Sequence, residues 1–165
     1  MNTTPSPSRI TALAPHQIFV YGSNEAGRHG AGAAALALKW GAVLGRTTLC
    51  GQTYGISTKD KRIETLPLIT INQYVAEFLA LAAVMTNTEF LVTEIGCGLA
   101  GLTPEDVAPM FRLAPDNVRL PQRFIAILTD QPQTGCECQV FECCPKCDPV
   151  AHGREAQRFT VSTPP

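Results

Sequence analysis

The chain has 165 residues, 45% of them hydrophobic and 16% charged, with 13 Lys and Arg against 14 Asp and Glu. That length suits one domain with a short appendage, and the apolar share excludes general disorder. A net charge of −1 excludes a diffuse basic field that would hold long nucleic acid by its phosphates, but leaves room for a small anionic ligand held by local groups.

In chain order, residues 1–15 carry Pro5, Pro7 and Pro15 among Ser and Thr and read as a flexible lead-in to a domain over 16–130. Residues 17–21 (QIFVY) are a strand-type apolar run ending at Gly22. A polar, glycine-bearing segment, GSNEAGRHGAG, leads from it into the helix-favouring AAALALKW. YGIST, residues 54–58, reads as a second strand, followed by the charged turn KDKR and by Pro67. ITINQYVAEFLALAAVM has apolar residues at 71, 74, 75, 78, 79, 82 and 85, the spacing of the main amphipathic helix. EFLVTEI, residues 89–95, is a strand running into GCGLAGLTPED. Thr103 is the expected N-cap of a helix reaching Arg112, with Pro104 at the first helical position and Asp106 closing a capping box. RFIAIL, residues 123–128, is expected as the last strand. This alternation implies an α/β fold with helices on both faces of a mixed, mostly parallel sheet.

The start of the sequence lacks the apolar run of a signal peptide, and the longest apolar stretch, around 78–85, is too short to span a membrane. A cytoplasmic protein with no membrane partner is expected. In a reducing compartment, the five cysteines within 136–147 suggest metal before disulfides. Cys136, Cys138, Cys144 and Cys147 are the expected ligands of one structural zinc in a Cys-rich tail over 131–165, with Cys143 spare and His152 as a further candidate. Cys50 and Cys97 stand apart and read as small buried residues.

Two glycine loops, 22–32 and 96–103, each follow a strand and precede a helix, which is where open α/β sheets bind ligands. Glycines let backbone amides approach an anion closely, and a helix start adds donors. Two such loops could cradle a diphosphate with backbone amides alone. Gly30-Ala31-Gly32-Ala33-Ala34-Ala35 also fits a relaxed dinucleotide fingerprint. It stands too far from its strand, however, and lacks an acidic residue about 20 positions on. No redox cofactor is expected.

GSNEAGRHGAGAAALALKWGA resembles the ribose-binding loop and first helix of macrodomains, and EIGCGLAGLTPEDVAPMF resembles their phosphate-binding loop. Between them, YGISTKD is similar to the lysine-bearing strand of the terminal ADP-ribose protein glycohydrolases and the DNA ADP-ribosyl glycohydrolases. Residues 17–128 also resemble small phage-encoded and bacterial proteins of unassigned role. The resemblance implies a three-layer α/β/α sandwich that binds ADP-ribose or an ADP-ribosylated macromolecule. It implies Gly30, Ala31, Gly32 and Ala33 around the distal ribose, and Gly96, Cys97, Gly98, Leu99, Ala100 and Gly101 around the diphosphate. Ser23 and Asn24 join this ligand set, Asn24 either bonding a ribose hydroxyl or making an Asx turn.

Lys59 is placed by the resemblance near the anomeric carbon, where its neutral amine could act as a nucleophile; the alternative is a surface lysine closing a strand. The protein-directed enzymes carry an acid where this chain has Ala100, so a second acid/base group must come from elsewhere. Asp60 should point away from Lys59, the direction of Glu94 is open, and His29 suits the role by residue type. Tyr54 and Trp40 read as core residues before adenine platforms. The expected function is ADP-ribose binding with hydrolysis of the ADP-ribosyl linkage through Lys59. The alternatives are a non-catalytic reader or sequestering protein for an NAD-derived nucleotide, and an interaction adaptor acting through its zinc tail.

Overall fold

The computed structural model describes residues 2–130. Its elements are β1 (Gln17–Asn24), α1 (Gly32–Ala37), β2 (Leu49–Cys50), β3 (Thr53–Lys59), α2 (Leu68–Val84), β4 (Glu89–Val92), α3 (Pro104–Val107), β5 (Val118–Arg119) and α4 (Gln122–Asp130). Single 3₁₀ turns extend α1 over Leu38–Trp40 and α3 over Ala108–Phe111. The five strands form one mixed sheet in the order β2-β3-β1-β4-β5, parallel except for the β2–β3 pair. The fold is α/β.

Alternation along β1 divides the apolar residues between two clusters, because successive strand side chains point to opposite faces. Ile18 and Val20 join a large cluster with Ile71, Val75 and Phe78 of α2, Val107 of α3 and Phe124 of α4. Phe19 and Tyr21 join a smaller one with Ala34 and Ala37 of α1 and with Ile10. In α2 the buried residues are Ile71, Val75, Phe78 and Ala82, one helical stripe. Phe78 is at its centre, with ring centroids 5.1 Å from Tyr54, 5.3 Å from Phe90 and 6.4 Å from Phe111. The turn after α2 is held by Asn117, whose Nδ2 donates to the carbonyls of Ala82, Met85 and Thr88 at 3.0, 3.0 and 2.9 Å.

Four expectations need correction. RFIAIL is part of helix α4: Phe124 and Ile125 are buried, Ile127 and Leu128 pack half-buried, and the last parallel strand is the upstream pair Val118–Arg119. A six-residue apolar run does not distinguish strand from helix, and here the 124, 125, 127, 128 spacing is that of a helix face. Strand β4 ends at Val92 instead of residue 95, and Thr93 turns the chain by accepting the Ile95 amide at its carbonyl, 2.7 Å away. The helix expected to reach Arg112 tightens to 3₁₀ after Val107, where Pro109 has no N–H to continue an α pattern. Its start is as expected, with both halves of the Thr103–Asp106 capping box formed. Finally, the segment read as a flexible lead-in makes specific contacts. Ser6 is buried, its Oγ donating to Val92 O at 2.7 Å and its amide to Leu120 O at 2.8 Å, and Ile10 lies in the smaller cluster.

Candidate functional site

The chain leaves β1 toward α1 and the smaller cluster, but leaves the adjacent parallel strand β4 toward α3 and the larger one. Where two neighbouring strands send their connections opposite ways, a crevice opens at their carboxyl ends. A cleft of about 580 Å³ occupies that place. Of the residues singled out from sequence, Ser23, Asn24, Gly30, Ala31, Gly32, Ala33, Lys59, Gly96, Cys97, Gly98, Leu99 and Ala100 line it. Gly101 and His29 do not.

Lys59 reaches the cleft through a local irregularity. Ser23 is opposite Ser57, but Asn24 is opposite Lys59, so β3 gains one residue at Thr58 as in a β-bulge. Bulges re-aim the side chain that follows. The Lys59 carbonyl accepts the Glu25 amide at 2.9 Å, which ties the end of β3 to the start of loop one, and no ion pair engages its Nζ among the described residues. Asp60 turns elsewhere, as expected: its Oδ1 accepts the amides of Arg62 and Glu64 at 2.8 and 2.9 Å. That tight turn holds Ile63 at φ 72°, a conformation costly for a β-branched residue, and Ile63 lines the cleft.

Loop one is organised by Asn24, whose Oδ1 accepts the Arg28 amide at 3.0 Å while Nδ2 donates to Arg28 O at 2.8 Å. Of the two readings of Asn24, the structure contains the loop-forming one. His29 is 5% exposed, its Nε2 lying 2.7 Å from the Tyr21 hydroxyl, so it is enclosed behind the cleft wall. Burial lowers the pKa of its imidazole and keeps it neutral. Ser23, 3% exposed, is part of the cleft lining, and its buried Oγ has no hydrogen-bond partner among the described residues.

Loop two begins at Gly96, whose φ of 76° demands glycine, with Leu102 packed close beside it. Thr65 donates from its hydroxyl to Ala100 O at 2.8 Å, tying this loop to the segment after β3. Cys97 and Cys50 are half-buried rather than buried. Burial, with Glu94 nearby, pushes the Cys97 thiol up to about 11, so it stays protonated and is a poor nucleophile at neutral pH.

Sequence reasoning did not select Arg28, Thr58, Ile63 or Thr93 for this cleft, and left Glu94 undirected; all five line it. Arg28 stood in plain view within loop one, whereas nothing in KDKRIE signals that Ile63 turns inward. Glu94 pairs with Arg123 at 3.4 Å. A second cleft of about 730 Å³ adjoins the first, sharing Gly32, Ala33, Thr93 and Glu94 in its lining and extending to residues 6–11, Lys39 and Arg123. Neither Trp40 nor Tyr54 lines either cleft. Trp40 packs on Phe19 at 4.8 Å, and Tyr54 packs on Phe78.

Cys136, Cys138, Cys144, Cys147 and His152 lie outside the described residues; among the described residues no group of His, Cys, Asp or Glu is placed to hold a metal ion. Nor is any described helix long and apolar enough to cross a membrane. Comparison of the chain with family models, curated proteins and solved structures returns no match.

Proposed function

We propose that the cleft binds ADP-ribose or an ADP-ribosylated substrate, and that Lys59 hydrolyses the ADP-ribosyl linkage. The observation that carries this reading is the convergence of both glycine loops and Lys59 on one cleft at the carboxyl edge of the sheet. In this reading the two clusters flanking the sheet make a three-layer α/β/α sandwich of macrodomain type. The diphosphate lies on the amides of 96–101, the distal ribose lies at 30–33, and the adenosine extends into the second cleft. Helices α1 and α3 are short, so the loop amides carry the anion more than any helix dipole does.

The chemistry follows from the lysine. As a neutral amine, Nζ attacks the anomeric carbon, and the bond to the attached carboxylate or base breaks with its electron pair leaving on that group. Water then hydrolyses the carbon–nitrogen adduct, regenerating the amine and releasing ADP-ribose.

A specific observation favours a second reading, a non-catalytic reader. Glu94 is the one carboxylate lining the first cleft and is paired with Arg123, His29 is enclosed, and Ala100 stands where the resembling enzymes carry an acid. Titration calorimetry with ADP-ribose tests the shared part, and absence of binding at about millimolar ligand would overturn both readings. Incubation with ADP-ribosylated protein and DNA then divides them. Turnover by the parent that disappears in Lys59→Ala supports hydrolysis, turnover retained in that variant removes Lys59 from the chemistry, and binding without turnover establishes the reader.

A further inference from the structure

The described residues are balanced in charge, yet the charges are not evenly placed. Arg28 and Lys59 line the first cleft and Arg9, Lys39 and Arg123 the second, half of the Lys and Arg within residues 2–130, whereas Glu94 is the one acidic residue in either lining. Glu94 is on the wall the two clefts share, and its pairing with Arg123 offsets the negative charge that an anionic ligand crossing there would meet. Arg9 and Lys39 have no ion-pair partner among the described residues.

The second cleft is amphipathic. Ile10, Ala33 and Leu36 supply apolar surface, while Arg9 and Lys39 supply positive charge. Apolar surface suits a nucleobase. The adenosine of ADP-ribose is neutral, however, and its two phosphates are already assigned to loop two, so the charge of Arg9 and Lys39 is left unmatched. Cations beside a ligand cavity are matched by phosphate, which accepts charge-assisted hydrogen bonds from both lysine and arginine.

Resting on the ADP-ribose reading, we propose that the second cleft receives a further phosphate, esterified to the adenosine ribose, so that the preferred ligand is a phosphorylated ADP-ribose. Arg9 and Lys39 are the specificity-determining residues for that group, and Arg123 has the separate task of neutralising Glu94.

The test compares ADP-ribose with ADP-ribose 2′-phosphate by calorimetry on the full chain, in the parent and in an Arg9→Gln, Lys39→Gln double variant. Both positions are exposed, so the double variant keeps the fold. The parent is expected to prefer the phosphorylated nucleotide by about tenfold or more. The double variant should lose that preference while its affinity for plain ADP-ribose changes by less than about twofold. Equal affinities in the parent, or a preference that persists in the double variant, overturn this inference and leave the ADP-ribose reading intact. Absence of binding by either nucleotide overturns both. Inorganic phosphate serves as the third probe: if it displaces both nucleotides equally, the extra phosphate has no site of its own and the inference is overturned.

Discussion

A Cβ built at Gly30 or at Gly98 would meet no atom within 4 Å, and neither residue has a positive φ. Neither packing nor backbone conformation therefore asks for glycine at these two cleft positions, unlike Gly96. In the ADP-ribose reading, the space beside them is left for close approach by the ligand. Gly98→Val should leave the thermal midpoint within about 3 °C of the parent, because the added side chain enters open space. The same variant should weaken ADP-ribose binding by about tenfold or more. Unchanged affinity would mean that the ligand does not pass over loop two. His29 is a residue whose type was legible and whose position was not. It suits acid/base chemistry by residue type, but the Tyr21 hydroxyl and its burial make it structural. Its lowered pKa has a definite sign in stability. Below about pH 6.5 the unfolded chain takes up a proton that the folded chain refuses, so unfolding becomes easier as pH falls through that value. Denaturant midpoints measured from pH 7.5 down to pH 5 should fall in the parent, and fall less in His29→Gln. Parallel profiles would remove His29 as the cause.

At the scale of elements, what could be read depended on whether the signal was local. The stripe of α2, the capping box at Thr103 and the strands flanking both glycine loops each rest on residues close in sequence, and each is present. The rest depends on partners distant in sequence. β5 is two residues long and exists because Phe90 and Leu91 offer β4 as a template, so Val118 and Arg119 carry no pattern of their own. The same holds for the bulge at Thr58, which is defined only against Ser23 and Asn24 of β1 yet brings Lys59 into the cleft lining. Helix α4 shows the opposite failure, a local apolar run that fits two periods and is decided by packing against the core through Phe124 and Ile125. Glycines and lysine marked the candidate site in advance, but the turn that holds Ile63 at positive φ did not, since Asp60 fixes it through two backbone amides.

For the molecule as a whole, the near-zero net charge first suggested that an anion would be held by backbone amides alone. The folded arrangement changes that expectation, because a balanced total conceals cations gathered along two adjoining clefts. The two ways of holding a diphosphate respond differently to salt. Amide donors in a loop are fixed dipoles at contact distance, whereas Arg28 and Lys59 act as full charges that are partly open to solvent and are screened as ionic strength rises. If the cations contribute, ADP-ribose affinity should fall by about threefold to tenfold between about 50 mM and about 500 mM salt, where the screening length drops from more than 10 Å to a few ångströms. Arg28→Gln should flatten that dependence, because it removes one of the two positive charges lining the first cleft without touching Lys59 or the loop glycines. An affinity indifferent to salt in the parent would return the anion to the backbone amides and make the clustering of cations incidental to binding.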